Sequence, residues 1–519
     1  MAEQEELLDV VAAIQMSILH AKETITLDLI NKRATDFFEM NKEGGFLPFV
    51  KNMTEDEKLY VIEEIIRRSK ERIGKPSCIS NKDGGHVEWL NSARKKDWKY
   101  WGRYKTYLKK NLSQTIMESI DETTDLALGK IEDPKRLDSS WDSRGMVVGQ
   151  VQSGKTANYA GLICKAADAG YKIIIVLSGM TNSLRVQTQI RLEECFLGYS
   201  TEEDDNAKKP IGVGCLDSTI KTNYCTTRKE QGDFNKNSSL CCGITPENIP
   251  TLFVVKKNGR ILNNLKDWLT TRLGELFENN QCKITKYPLL VIDDEADNAS
   301  VDTGEQPFDS EGNPDPDYDP KTINKLIRQI LVLFTHTAYV GYTATPFANI
   351  FINEQGKTEK EGLDLFPKDF IVNLPIPNNY YGPEKFFGND GHQTSLELIE
   401  LFDDNEKWLS EKHKIDTVPA NIGKYGIPES LQRAILSFLI SCTIRCFRGD
   451  QCKHSSMLIH VTRFVPVQAH VYNQVNNYLV RIRQRLSWEI VDYDIICILR
   501  ELYESAEKGY LDLTLSSKF

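Results

Sequence analysis

The chain has 519 residues, of which 40% are apolar, 27% charged and 9% aromatic, a composition that excludes wholesale disorder, collagen and a continuous coiled coil. Lys and Arg total 64 against 74 Asp and Glu, a net charge of −10, so any contact with DNA has to be built locally rather than by the chain as a whole. The length predicts about three domains, with enough chain for a sizeable core.

The N-terminus begins acidic and has no basic leader region, so it does not read as a signal peptide. Apolar runs such as Ile173–Leu177 and Leu289–Ile292 are too short to cross a bilayer. The twelve cysteines include no Cys-x-x-Cys pair and no His-rich partner segment, which points to free thiols in a reducing cytoplasm rather than a zinc site or a disulfide scaffold. We therefore expect a cytoplasmic protein without a membrane segment.

Residues 1–140 read as a helical N-terminal domain. Apolar residues recur at helical spacing through Leu7–Ile18 and Leu59–Ile66, and Thr54 with Glu57 fits a capping box before the second run. Arg94–Lys110 holds eight Lys/Arg interleaved with Trp98, Tyr100, Trp101, Tyr104 and Tyr107. Such a mixture can grip single strands by charge and stacking. Trp101, Tyr104 and Leu108 share one helical face, however, so core packing with a solvated basic face is the preferred reading.

Residues 141–352 change character. Short apolar runs at Met146–Val148, Lys172–Leu177, Leu252–Val255, Leu289–Ile292 and Thr337–Val340 each end in a polar or Gly-rich turn, with helical patterns between them. This predicts an α/β lobe with a parallel sheet flanked by helices. Residues 199–250 are polar and weakly patterned, and the acidic, Pro/Gly-rich stretch 304–320 reads as a surface loop. Residues 353–429 read as a connector or accessory segment. From 430 to 519 we expect a buried helix at Ser430–Cys446, a strand at Met457–Val461 and a helix at Pro466–Arg485, the start of a second lobe.

Three motifs carry chemistry. Gly149-Gln150-Val151-Gln152-Ser153-Gly154-Lys155-Thr156 is a complete Gly-x4-Gly-Lys-Thr loop between a strand and a helix. Its N–H groups, including those of Gly149, Gln152, Ser153 and Gly154, suit the phosphates of ATP; Lys155 would reach the β- and γ-phosphates and Thr156 would ligate Mg2+. Asp293-Asp294-Glu295-Ala296-Asp297 ends a strand. Such an ATPase needs a carboxylate at a neighbouring strand tip, so we assign Asp294 to Mg2+ and Glu295 to the lytic water, with a frame shifted to Asp293 as the alternative. An acidic helix cap would account for the same residues without chemistry. Gly341-Tyr342-Thr343-Ala344-Thr345-Pro346 places Thr343 and Thr345 on a turn where they can bond the acidic residues and feel the γ-phosphate, or simply turn the chain.

In this order the three motifs resemble motifs I, II and III of superfamily 2 helicases and translocases. The segments GQVQSGKTANYAGLICKAADAGYKIIIVLSGMTNSLRVQTQIRL, VVKKNGRILNNL, VIDDEADNAS and YVGYTATPFANIFIN are similar to bacterial Z1-domain proteins, over roughly residues 90–485. The resemblance implies two RecA-like lobes, with Lys155 and Glu295 catalytic, Thr343 and Thr345 coupling nucleotide state to lobe geometry, and DNA as partner. It implies an anti-phage or restriction-type setting, beside proteins such as a GHKL-type ATPase or a nuclease. Thr181, Asn182, Arg185, Gln187 and Gln189 then occupy the segment that touches the nucleic-acid backbone, and Lys256 and Lys257 the next strand end. A solvated polar face is the plainer alternative for both. Only 58 residues follow Val461, with no Gly-Arg-x-x-Arg segment, and Arg463, Arg481, Arg483 and Arg485 are weak substitutes for a finger arginine. The second RecA-like lobe is therefore expected to be incomplete and the chain to be a fragment or truncation. The functional expectation is an ATPase acting as a DNA motor or switch, with a non-translocating regulatory scaffold as the alternative.

Overall fold

The computed structural model describes residues 2–20, 27–41, 48–70, 74–81, 85–151, 154–202, 209–235, 249–276, 282–304, 319–377, 380–388, 399–447, 454–488, 493 and 495–504. Most of the expected loop at 304–320 lies outside the described residues. The chain divides into two compact units, one comprising Met1–Met53 and Val61–Gly382, the other Thr54–Tyr60 and Pro383–Phe519.

The first unit is built on a sheet of eight strands: β1 (Ser77–Ser80), β2 (Trp141–Val148), β3 (Ile173–Ser178), β4 (Asn223–Tyr224), β5 (Thr251–Lys256), β6 (Leu289–Asp294), β7 (His336–Thr343) and β8 (Phe370–Asn373). Their order is β1-β8-β2-β7-β6-β3-β5-β4. All pairs are parallel except β1 with β8. All five expected strands are present, each at least as long as its apolar run. β1, β4 and β8 are only two to four residues long, which is why the sequence does not reveal them.

Helices cover both faces because the central strands β3, β5 and β6 are apolar on both sides. Ile174, Val176, Leu252, Val254, Leu290, Ile292, Ala338 and Val340 point to one side. They meet α4 (Lys99–Asn111), α5 (Gln114–Lys130) and α6 (Lys155–Ala169) through Trp101, Tyr104, Ile120, Leu162 and Ile163. Ile173, Ile175, Phe253, Val255, Leu289 and Val291 point to the other side, against Leu262, Leu265 and Leu269 of α8 (Gly259–Leu273) and Leu326, Ile327 and Ile330 of α9 (Thr322–Leu333). This period-2 alternation between two buried faces is what a covered parallel sheet requires. The helix α7 (Asn182–Leu192) follows β3 and packs on β3, β5 and α6. Ahead of the sheet, α1 (Ala2–His20) packs on α2 (Leu27–Met40) and α4. The helix α3 (Glu55–Lys70) starts at the expected capping box: Thr54 N donates to Glu57 Oε2 at 2.7 Å and Glu57 N to Thr54 Oγ1 at 3.2 Å.

The basic-aromatic stretch is structural. Trp101, Tyr104 and Leu108 are buried as α4's core face. Lys95 pairs with Asp125, Lys105 with Asp121 and Lys110 with Asp9, while Arg103 donates to the carbonyls of Phe196 and Asp217. From α6 the wholly buried Lys165 reaches Asp121 and Asp125, each at 2.6 Å, and lies over the Trp101 ring.

The second unit has its own core. The helix α11 (Val465–Ser487) turns Val467, Val471, Val475, Tyr478 and Ile482 toward Trp408, Leu409, Ile427, Ile435 and Leu436. The last two belong to α10 (Glu429–Phe447). Two expectations are corrected here. Met457–Val461 forms no strand, since no neighbouring strand among the described residues offers it a ladder. α10 is not a buried helix: only Gln432, Ile435 and Leu436 of it are buried. It is long and apolar enough, by length and composition, to cross a membrane, and it opens with Ser430 bonded through Oγ to Asp404 at 2.6 Å.

One carboxylate controls the start of α4. Trp98 supplies no side-chain cap, and Asp168 of α6 accepts the backbone N–H groups of Lys99, Tyr100 and Trp101 at 2.9, 3.1 and 2.8 Å instead. Burial pushes its pKa up to about 6 against the three donors. A folded pKa above the unfolded value means that the folded state holds the proton more tightly, so Asp168 favours folding most below about pH 4 and progressively less up to about pH 6. Asp168→Asn removes this titration. The stability of the native chain relative to that variant, read from urea midpoints, is expected to fall between these pH values by no more than about 3 kcal/mol and to stay level above them.

Candidate functional site

The carboxyl ends of β2, β3, β6 and β7 converge on one edge of the sheet, where ligands of open α/β folds bind. The Gly149–Thr156 loop leaves β2 here. Gly149 N donates to Thr343 O at the end of β7 at 3.0 Å. Gln152 and Ser153 lie outside the described residues. Gly154 has φ +87°, a left-handed conformation that favours glycine, and α6 begins directly after it at Lys155. The first N–H groups of α6 have no partner within the helix and its dipole is positive at this end. Lys155 Nζ donates to the carbonyls of Gly149 and Gln150 at 3.0 and 3.1 Å. Burial lowers its pKa, while Asp294, Asp297 and Glu295 pull the other way, which puts all three carboxylates within its field.

The acidic turn follows β6. Asp293 is fully buried beneath it, with Lys257 Nζ at 2.7 Å from Oδ1 and the Tyr339 hydroxyl donating to Oδ2 at 2.6 Å. The shifted frame is thereby disfavoured, because Asp293 faces the core and Asp294 the loop side. Burial, followed by the neighbouring Glu295, raises the Asp294 pKa. Glu295 is exposed, has φ +54°, and its carboxylate lies over Gly179, where an added Cβ would come within 3.2 Å of Oε2. A positive φ at a glutamate is strained backbone, held by its surroundings. Ala296 N donates to Tyr342 O at 3.0 Å, which ties the turn to β7.

Thr343 and Thr345 both reach the acidic turn, and their partner is a residue that the sequence reading did not single out. Thr343 Oγ1 donates to Asp297 Oδ1 at 2.7 Å and Thr345 Oγ1 to Asp297 Oδ2 at 2.6 Å. Burial works against the Asp297 carboxylate, but the Thr345 and Thr343 hydroxyls hold its pKa below the ordinary range. The signal available was the fourth residue of the Asp-Glu-Ala-Asp string itself. Tyr159 was also missed. It lies one helical turn beyond Thr156, is almost wholly buried, and its hydroxyl sits among the Thr156, Thr188 and Asp294 side chains; burial, then Asp294, pushes its pKa far up.

The candidate nucleic-acid residues divide. Thr181 and Gln187 are exposed on α7 and Asn182 is half-buried, accepting from Lys256 Nζ at 2.6 Å. Arg185, Gln189 and Lys257 are corrected to structural roles, because each is buried and bonded within the chain. Arg185 donates to the carbonyls of Thr227 and Lys229 at 2.8 and 2.6 Å. Gln189 bonds Glu193 and Thr226. Lys257 donates to the carbonyls of Glu295 and Asn298 at 2.6 and 3.0 Å in addition to its ion pair.

Residues 430–517 match the Z1 domain family model. No curated protein matches the chain at a significant level.

The Lys257–Asp293 pair gives the site a testable foundation. Lys257→Met leaves a buried carboxylate without its cation and is expected to cost about 3–5 kcal/mol of stability in urea unfolding. Adding Asp293→Asn to that variant is expected to recover part of the loss, since no charge is then stranded.

Proposed function

We propose that the first unit is a RecA-like P-loop lobe that binds and hydrolyses ATP, and that the chain works as a superfamily 2-like DNA motor or switch in bacterial anti-phage defence. The observation that carries the ATPase reading is the meeting, at one sheet edge, of Lys155 and Thr156 at the start of α6 with Asp294, Glu295 and Asp297 at the end of β6. A phosphate group at a helix N-terminus, with carboxylates beside it, is the arrangement nucleotide hydrolysis needs. The defence setting, and partners such as a GHKL-type ATPase or a nuclease, rest on the motif resemblance together with the Z1 match.

The residues present fit Mg2+. Asp294 and Glu295 are adjacent carboxylates, Asp294 largely withdrawn from solvent beside Glu295, so a cation there would offset both the burial of the charge and the repulsion between the two. Among the described residues no group of three or more His, Cys, Asp or Glu could hold a metal by itself. Mg2+ characteristically takes one or two protein oxygens and completes its shell with phosphate and water. Thr156 and Asp294 would hold it, and it would supply charge neutralisation along the phosphates. Lys155, released from its own loop carbonyls, binds the β- and γ-phosphates. Glu295 orients the attacking water and accepts its proton. Asp297, through Thr343 and Thr345, holds the end of β7 in register with the acidic turn. DNA contact falls to Thr181, Asn182, Gln187 and Lys256.

A non-translocating scaffold is the second reading. It is favoured by the loss of two expected cations, Arg185 and Lys257, from the DNA-facing set.

ATP turnover measured with and without single- and double-stranded DNA separates the two. Lys155→Ala is expected to abolish turnover. Glu295→Gln is expected to keep nucleotide binding while slowing hydrolysis by about 10²–10⁴-fold. DNA-stimulated turnover supports the motor; turnover indifferent to DNA supports the scaffold; an absence of nucleotide binding overturns both.

A further inference from the structure

The two residues assigned to Mg2+, Thr156 and Asp294, share a buried neighbour. Tyr159 follows Thr156 at i, i+3 on α6, so the two side chains lie on one face of that helix. Its side chain is 1% exposed. Its hydroxyl lies within hydrogen-bonding reach of the Thr156 hydroxyl, the Asp294 carboxylate and the hydroxyl of Thr188, which is buried on α7. One oxygen thus stands behind both metal-holding side chains and touches the helix that follows β3.

The Tyr159 ring is seated independently of that hydroxyl. It stands edge-on against Tyr342, with ring centroids 5.5 Å apart and an interplanar angle of 77°. Tyr342 is the ladder partner of Asp294 between β7 and β6. The Tyr342 hydroxyl donates to Asn158 Oδ1 at 2.9 Å, and Asn158 Nδ2 donates to Thr123 Oγ1 of α5 at 2.7 Å. The helix is therefore fastened to β7 and to α5 at the residue just before Tyr159.

The proton count fixes the direction of each bond the hydroxyl can make. A phenol has one O–H to donate and two lone pairs. An ionised carboxylate only accepts, so the phenolic proton goes to Asp294. The lone pairs then suit the two threonine hydroxyls, which donate. A Thr156 hydroxyl that donates to Tyr159 keeps its own lone pairs free, which is what a metal ligand needs.

We propose that Tyr159 is a positioning residue for Mg2+, holding the Asp294 carboxylate and turning the Thr156 hydroxyl proton away from the metal. The proposal rests on reading Gly149–Thr156 as a triphosphate site with Thr156 and Asp294 as the metal-holding pair. Partners behind metal ligands fix ligand orientation, and their loss weakens metal affinity without removing a ligand.

The test is a double-mutant cycle on the full chain, read by calorimetric binding of Mg2+-ATP to Tyr159→Phe, Asp294→Asn and the pair. Tyr159→Phe deletes the hydroxyl and leaves the ring on Tyr342; an unchanged urea midpoint reports that the variant is folded. It is expected to weaken Mg2+-ATP about tenfold in the native chain. In the Asp294→Asn background the same change is expected to cost less than about twofold, since the carboxylate it positions is gone. If Asp294→Asn binds too weakly to close the cycle, the Mg2+ dependence of ATP turnover decides instead. Tyr159→Phe is then expected to raise the half-saturating Mg2+ about tenfold and to recover turnover at excess Mg2+. No loss in the native chain, an equal loss in both backgrounds, or a loss of turnover that excess Mg2+ leaves in place overturns the positioning role while the phosphate site stands. If the unmodified chain does not bind Mg2+-ATP, the triphosphate reading fails and the role of Tyr159 fails with it.

Discussion

The buried ion pair between Lys257 and Asp293 is the constraint on which the candidate site stands. Both side chains are fully removed from solvent, which would be costly for either charge alone. The cost is offset in part by the partners each group finds. The ammonium has the Asp293 carboxylate and the carbonyls of Glu295 and Asn298, and the second carboxylate oxygen takes the Tyr339 hydroxyl. Lys257 follows β5, Asp293 lies in β6 and Tyr339 in β7, so one cluster ties three strands of the sheet together across β3. The two non-glycine residues with positive φ among the described residues, Glu295 and Ala299, both lie in or beside the turn this cluster supports. Strained backbone survives where surrounding contacts over-determine it, and the contacts are here.

From that foundation a continuous run of hydrogen bonds reaches the glycine loop. The acidic turn bonds β7 through Ala296 N and through the two hydroxyls on Asp297. The end of β7 in turn accepts Gly149 N. A ligand that displaces Lys155 from the carbonyls of Gly149 and Gln150 would therefore act on a segment already joined to the acidic turn. This is a physical path between the two halves of the site.

The five long strands were legible in the sequence because a parallel sheet buried on both faces needs unbroken apolar runs, and such runs end visibly at Gly or Asp. The short strands β1, β4 and β8 were not, because two to four residues carry no periodicity. The placement of Lys155, Thr156, Asp294 and Glu295 at one edge followed from motif order and strand position. The error over Arg185, Gln189 and Lys257 has a common cause. A polar side chain next to a strand end reads as a surface donor, and nothing in its neighbours announces that distant carbonyls, those of Thr227 and Lys229 or of Glu295 and Asn298, will bury it. The error over α10 runs the other way: apolar residues around a helix signal removal from water, yet only three of its residues are buried within the structure.

The charge balance of the site decides what it can attract. Lys257 is neutralised locally by Asp293, so it contributes little field beyond the turn. That leaves Lys155, with the helix end behind it, facing Asp294, Glu295 and Asp297. A triphosphate approaching this set meets favourable N–H donors and unfavourable carboxylates at similar range, and at the reduced dielectric of a partly buried edge the repulsion is not a small term. A divalent cation shared between carboxylate and phosphate reverses its sign. The reading of this edge as a nucleotide site and its need for Mg2+ are for that reason a single claim: the same carboxylates that would serve hydrolysis oppose binding until the cation is present.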